Sequence, residues 1–255
     1  IKRGLLPQHF IILANTSHEM RGAINAGFSS VFCNHNAWLD ETIFTPLLQP
    51  VDKLYDLVLI TRPENWKRPQ LSSLCNPKAI IQGHVFREAD RCDLKALNPQ
   101  YINDTRLSPE EVSCVLQASY VGGCFSAEEG ACYSSSEMLL SGLPVVSTPS
   151  LGGRDVWYDD HNSLISEPTP GSVANSVAVL KKRLIQGDID PLLIRKRHIR
   201  MAHEFRSQFY QDIQARLPSD LSRLLLAMLD EGRLFKHKMI EYHSSANLPP
   251  YIVQD

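Results

Sequence analysis

The sequence predicts an α/β fold: a doubly wound parallel sheet with extra helices toward its C-terminal end. Three observations carry this expectation. Short apolar runs alternate with stretches of helical period from the first residues to about Ile165. Capping and turn residues sit where each helix should begin or stop. From about Pro191 onward the pattern is helical alone, with a break at Pro218 and a tail, "NLPPYIVQD", that reads as extended. Connections between parallel strands are right-handed, so such a chain winds in both directions from its centre.

In chain order, "HFIILA" reads as a buried strand, and Thr16 with Glu19 as a capping box opening a short helix to Gly27. "SVFCN" is the next strand. "KLYDLVLIT" is the clearest strand and runs into the polar loop "RPENWKRP"; "KAIIQG" follows as another. Ser108-Pro109-Glu110-Glu111 places an N-cap, a first-turn proline and a third-position glutamate in sequence, a strong helix start. Cys114 is expected on that helix's apolar face. Val121 to Phe125 is a strand, and a helix from about Ser134 stops at Gly142, with Pro144 forbidding its continuation. "PVVST" and "SLIS" are short strands. Val173, Val177, Leu180 and Leu184 then share one helical face.

With 255 residues, 43% hydrophobic and 21% charged, the chain can bury a substantial core. A formal net charge of −2 gives no overall field that favours nucleic acid. The first ten residues lack the apolar segment of a signal peptide, and the chain begins with Ile, so it reads as a processed form or a fragment. Six cysteines without a C-x-x-C pair read as thiols in a reducing compartment, giving a cytoplasmic expectation. Dinucleotide, P-loop and nucleophile-elbow motifs are absent.

Ligands of such sheets sit at the carboxyl ends of the strands. The loops expected there are "TRPENWKR", "SAEEGACY" and "TPSLGGRD". Arg62 with Lys67 or Arg68 follows a strand directly, where cations can hold a diphosphate. Glu129 and Glu137 flank a helix start and would lie roughly 12 Å apart on a continuous helix. A carboxylate suits vicinal hydroxyls, and the helix N-terminus between the two suits phosphate. Ser134, Ser135 and Ser136 read as polar residues opening a helix.

In their order, these stretches resemble the C-terminal half of GT-B glycosyltransferases of the retaining, group 1 (GT4) type. The resemblance rests on "CNHNAWLDETIFTP", on "LVLITRPENWKR" against a strand followed by Gly-Arg…Lys-Gly, on "LSPEEVSCVLQAS", on "SAEEGACYSSSEMLLSGLPVVSTPSLGG" against E-x7-E, Gly-x-Pro-Val-Val and Gly-Gly, and on "DDHNSLISEP". It implies a Rossmann-like fold and a hexosyltransferase that takes a nucleotide-diphosphate sugar donor and a glycan, lipid-linked or small-molecule acceptor. It implies that Arg62 and Lys67 hold the diphosphate and Glu137 the ribose. Glu129, the catalytic candidate, and the backbone of Gly130, Ala131 and Cys132 would face the transferred sugar. Tyr101 and Asn103 fall where the family meets the nucleobase. No cofactor and no metal are expected, because cations of the protein can neutralise the diphosphate.

The chain departs from the family at Thr61 and Arg68, which replace the glycines around Arg62 and Lys67. Cys132 replaces the second glycine after Glu129, and Asp160-His161 replaces Asp-Gly. The resemblance divides the chain into 1–35, a remnant of the N-terminal GT-B domain; 36–217, the nucleotide-sugar-binding domain; and 218–255, a helical extension and tail. A partner protein supplying the acceptor domain is one implication, and a non-catalytic nucleotide-sugar-binding or assembly module is the alternative function. Lys181, Lys182, Arg183, Arg195, Arg197 and Arg200 make the helical region locally basic, a face that could touch anionic lipid at the cytoplasmic side of a membrane.

Overall fold

The structure, a computed structural model, describes residue 4 and residues 6–46 and 52–230. The expected extended tail and most of the 218–255 extension lie outside the described residues. The strands are β1 (Ile11–Ala14), β2 (Ser29–Phe32), β3 (Tyr55–Thr61), β4 (Lys78–Gln82), β5 (Tyr101–Ile102), β6 (Ser119–Cys124), β7 (Val145–Ser147) and β8 (Ser163–Ile165). The helices are α1 (Ser17–Asn25), α2 (Pro109–Gln117), α3 (Tyr133–Leu140), α4 (Pro170–Ile185), α5 (Pro191–Arg216) and α6 (Ser219–Asp230). Two compact units result: Ile1–Asp40 with Ala202–Asp255, and Glu41–Met201.

The smaller unit is built on a β1–α1–β2 crossover with parallel register from Ile11↔Ser29 to Ala14↔Phe32. Thr16 accepts the Glu19 amide at 3.0 Å, as a cap should, while the Glu19 carboxylate reaches the Asn15 amide at 2.7 Å. Residues 202–217, assigned from sequence to the sheet-bearing domain, group with this unit. Phe205 packs edge-on against Phe32 and Phe209 against Trp38, and Arg206 donates to the Ala37 carbonyl at 2.5 Å.

In the larger unit six parallel strands are ordered β5-β4-β3-β6-β7-β8. The chain winds outward from β3 through β4 to β5, then restarts at β6 and winds the other way, so β3 and β6 flank the switch point. Leu57, Val58, Ala79, Ile80, Val121, Val145 and Val146 are fully buried, as strands covered on both faces require. β5 has only two residues and is held by pairing with Ala79 and Ile80; its own sequence carries no strand signal.

α2 begins with the complete capping box at Ser108 and Glu111. It buries Leu116 and Gln117, and Cys114 is exposed, correcting its expected place on the apolar face. α3 packs so closely on β6 that a Cβ on Gly122 would stand 2.4 Å from the Met138 sulfur. Gly142 ends α3 at φ +77°, the left-handed conformation a helix stop uses. Val173, Val177 and Leu180 of α4 are buried, as their spacing predicts, while Leu184, expected on the same face, is only half-buried near the helix end.

Candidate active site

The loops that follow β3, β6 and β7 converge at the switch point. Residues 127–130 and 151–153 are laced together: Leu151 N to Ala127 O at 2.7 Å, Glu129 N to Leu151 O at 2.9 Å, and Gly153 N to Gly130 O at 2.7 Å. Gly152 makes this possible. A Cβ there would fall 1.8 Å from the Glu129 carbonyl oxygen, so no side chain fits without moving the loop. Sequence places Gly-Gly twenty-odd residues after Glu129, and the fold puts the two back to back.

Glu129 is the centre of this arrangement. Its carboxylate is ion-paired with Lys67 and accepts the Ser126 hydroxyl at 2.5 Å, with the Arg154 guanidinium 3.8 Å away. Burial would raise its pKa, but Lys67, Ser126 and Arg154 together outweigh that and hold it below the ordinary value. The group is therefore a fixed negative charge near neutral pH.

Arg154 is wholly buried. It donates to the Ser147 hydroxyl at 3.0 Å, the Ser126 hydroxyl at 2.7 Å, the Ser126 carbonyl at 2.9 Å and the Thr148 carbonyl at 3.0 Å. A buried guanidinium is tolerable only when bonded in this way. Arg68 adds a second guanidinium, donating to the Phe125 carbonyl at 2.5 Å and the Thr148 hydroxyl at 2.8 Å. Burial and the charge of Arg154 both lower its pKa. Lys67 and Arg154 thus flank the half-buried Glu129 carboxylate, and Arg68 adds a third cation on the neighbouring loops, an excess of positive charge that favours an incoming anion.

Arg68 and Cys132 occupy left-handed backbone at φ +52° and +58°. They stand where the resembled family has glycines. That conformation costs roughly 1–2 kcal/mol for each residue; the Cys132 side chain lines a crevice beside Glu129, whereas Arg68 turns to the Phe125 carbonyl and the Thr148 hydroxyl.

A small crevice beside Glu129 is lined by Thr61, Lys67, Cys124, Ser126, Cys132 and Ser134, among others. Of the residues picked from sequence, the structure brings Lys67, Glu129 and Cys132 to it, with Gly130 and Ala131 in the intervening turn. Glu137 is buried on α3 and does not line the crevice. Arg62 lies over the rings of Trp66 and Phe86 at 5.0 and 4.7 Å, and 3.7 Å from Glu64. Buried Glu64 pins that loop, accepting the Phe86 and Arg87 amides at 2.6 and 3.0 Å and the Trp66 indole at 2.5 Å. Tyr101 packs against Tyr55. The Asn103 amide accepts from Gln82 N at 2.6 Å and donates to Gln82 O and Thr105 O, tying the ends of β4 and β5 together.

Sequence reasoning passed over Ser126, Cys124 and Arg154. The last directly follows Gly152-Gly153, but a lone arginine gives no local sign that it will be buried. Among the described residues no group of three or more His, Cys, Asp or Glu could hold a metal ion. The one Asp-x-Asp triplet in the chain, Asp188-Ile189-Asp190, lies in the turn before α5, where Asp190 caps the Leu192 amide at 2.9 Å.

The basic residues of α4 and α5 are largely engaged within the larger unit. Lys181 pairs with Asp56 at 2.6 Å, Arg197 with Asp159 at 3.2 Å, and Arg183 donates to the Asp160 carbonyl. Arg195 points inward, to the carbonyls of Glu41, Phe44 and Leu140. Among the described residues no helix is long and apolar enough to cross a membrane.

No protein-family model matches the chain, and no curated protein does. Solved structures do. HepE of Anabaena in complex with UDP is 14% identical with a TM-score of 0.57, covering 80% of this chain and 64% of that one. TarM of S. aureus is 15% identical with a TM-score of 0.56, covering 79% and 42%. The lipopolysaccharide outer core galactosyltransferase WaaB, in its apo form, is 21% identical with a TM-score of 0.54, covering 80% and 62%. The chain therefore spans less than two thirds of each of these structures. At such identities the likeness establishes the fold: a six-stranded parallel sheet flanked by helices, as in the Rossmann-like C-terminal domains of GT-B glycosyltransferases.

Proposed function

We propose that the chain binds a nucleoside-diphosphate sugar at the crevice between β3 and β6 and acts as a retaining, group 1 hexosyltransferase. The observation that carries this reading is the Lys67–Glu129 pair, buttressed by Arg154, at the switch point of a GT-B-type sheet. HepE, which shares that fold, was solved with UDP and with UDP-glucose. TarM was solved with α-GlcNAc-glycerol and UDP.

In this reading Lys67 turns from Glu129 to the donor diphosphate, and Arg68 and Arg154 lower the energy of the departing phosphate without a metal ion. Arg62 leaves its aromatic stack to join them. Glu129, kept ionised, sets a negative charge beside the anomeric carbon, where positive charge develops as the glycosidic bond breaks. Glu137 grips the ribose hydroxyls, and the end of β5 meets the base. The acceptor is a glycan, a lipid-linked saccharide or a small molecule, brought by an acceptor domain that a partner or a longer form of the chain supplies, at the cytoplasmic side.

Calorimetry of the full chain against a panel of UDP-, GDP- and ADP-sugars in EDTA tests the binding step. Saturable binding of at least one donor is expected; none across the panel would sink the reading. Sugar transfer to candidate acceptors tests the chemistry.

A further inference from the structure

Phe86, in the loop that follows β4, is 75% exposed, the most open large apolar side chain among the described residues. Its backbone is nevertheless held. The fully buried Glu64 carboxylate accepts the Phe86 amide at 2.6 Å and the Arg87 amide at 3.0 Å. The loops after β3 and β4 are tied again where Cys92 N donates to Pro63 O at 2.9 Å and Trp66 N to Asp90 Oδ2 at 3.1 Å. A buried carboxylate, costly to desolvate, thus fixes a loop whose aromatic ring adds little to the core.

From this ring, cations and aromatic side chains alternate inward. The Arg62 guanidinium lies 4.7 Å from the centre of the Phe86 ring and 5.0 Å from that of Trp66, and Lys67 Nζ lies 4.4 Å from the Trp66 ring on its own account. Lys67 is the residue that meets Glu129 in the crevice. The row therefore has a cation at its inner end and an open aromatic face at its outer end.

We propose that Phe86 is the residue on which the base of the bound nucleotide stacks, an inference that rests on the reading of the crevice as a donor site. A nucleoside diphosphate has the matching polarity, with anionic phosphates at one end and a planar base at the other. With its phosphates at Lys67, its base runs along the row and settles on Phe86, a flat apolar surface already fixed in place. Arg62, drawn toward the phosphates, uncovers more of the same ring. The nearby Asn103 side chain is already spent: its amide N–H groups donate to Gln82 O at 3.1 Å and Thr105 O at 2.8 Å, and its oxygen accepts Gln82 N at 2.6 Å. The end of β5 then supplies position, and stacking supplies affinity. Every base has an aromatic face, so the stack accepts pyrimidine and purine alike.

The test is calorimetry of the full chain with UDP, ADP and inorganic pyrophosphate, on the natural chain and on Phe86→Ala, Phe86→Leu and Phe86→Trp. The side chain is exposed, so each variant should fold, which a thermal melt checks. Phe86→Ala should bind each nucleotide that the natural chain binds about 5- to 150-fold more weakly. Phe86→Leu, apolar but without the ring, should lose nearly as much, and Phe86→Trp should bind at least as tightly as the natural chain. Pyrophosphate has no base, and its affinity should be the same in all four forms. Unchanged nucleotide affinity in Phe86→Ala overturns the proposal and leaves the donor reading standing. An equal fall for UDP and pyrophosphate does the same, because the residue would then only shape the loop. A natural chain that binds no nucleotide ends both.

Discussion

Arg154 holds Ser126 by both its hydroxyl and its carbonyl, at 2.7 and 2.9 Å, although 28 positions separate the two in the chain. The contact fixes the second residue after β6 to the loop after β7, and so sets where Glu129 stands. Replacing Arg154 with Met leaves three buried oxygens without a donor and Glu129 without one of its cations. Unfolding in urea should show a loss of about 3–5 kcal/mol. Arg154→Lys keeps the charge without the fork and should fall between. A Met variant as stable as the natural chain would show that the buried fork is not structural.

Lys67 is the cation that the crevice presents, while Arg62 is stacked on Trp66 and Phe86. On the donor reading, Lys67→Ala removes a charge-assisted bond of roughly 1.5–3 kcal/mol, a fall of about 10- to 100-fold in UDP affinity by calorimetry. Arg62→Ala should cost less, because its guanidinium must first leave two aromatic faces and Glu64. Unchanged affinity in Lys67→Ala would take the residue out of the site.

Glu129 has a depressed pKa in the folded chain, so its ionised form contributes stability above its ordinary value of 4.5. That contribution is lost as pH falls through the lower, folded value. Glu129→Gln should therefore be less stable than the natural chain at neutral pH, and the two should converge in acid. Denaturation at a series of pH values checks this; a gap that persists or widens below the ordinary carboxylate range would contradict it.

Gly152 faces the Glu129 carbonyl, where a Cβ has no room. Gly152→Ala should destabilise by about 1–3 kcal/mol, read from a thermal melt, and on the donor reading should weaken UDP binding by displacing Glu129. An unaltered melting temperature would mean that the loop yields freely.

Much of the fold was legible because its signals are local. Apolar runs predicted β1, β3, β4 and β7; Ser108 and Glu111 predicted the start of α2; Gly142 and Pro144 predicted the end of α3; and the spacing of Val173, Val177 and Leu180 predicted the buried face of α4. Backbone hydrogen bonding, side-chain alternation and φ preferences act over a few residues, so they leave a mark in the sequence. β5 left none, since its two residues owe their conformation to pairing with β4. Cys114 was misplaced because a helical period locates an apolar stripe only to within a residue or so when the helix is short.

That the loops bearing Glu129 and Lys67 come together was also legible in the sequence, because residues that follow a parallel strand must gather at one edge of the sheet. Which cation meets which carboxylate was decided by tertiary structure alone. Lys67 and Arg62 are five residues apart, yet a 3-10 turn at Asn65–Lys67 sends one to Glu129 while a buried Glu64 keeps the other among aromatic rings. Arg154 became the anchor of the site because the lacing of residues 127–130 to 151–153 closed over it and excluded water, leaving Ser126, Ser147 and Thr148 to accept its hydrogen bonds. Burial of a charge is a property of everything packed around it, and no stretch of the chain carries that information by itself.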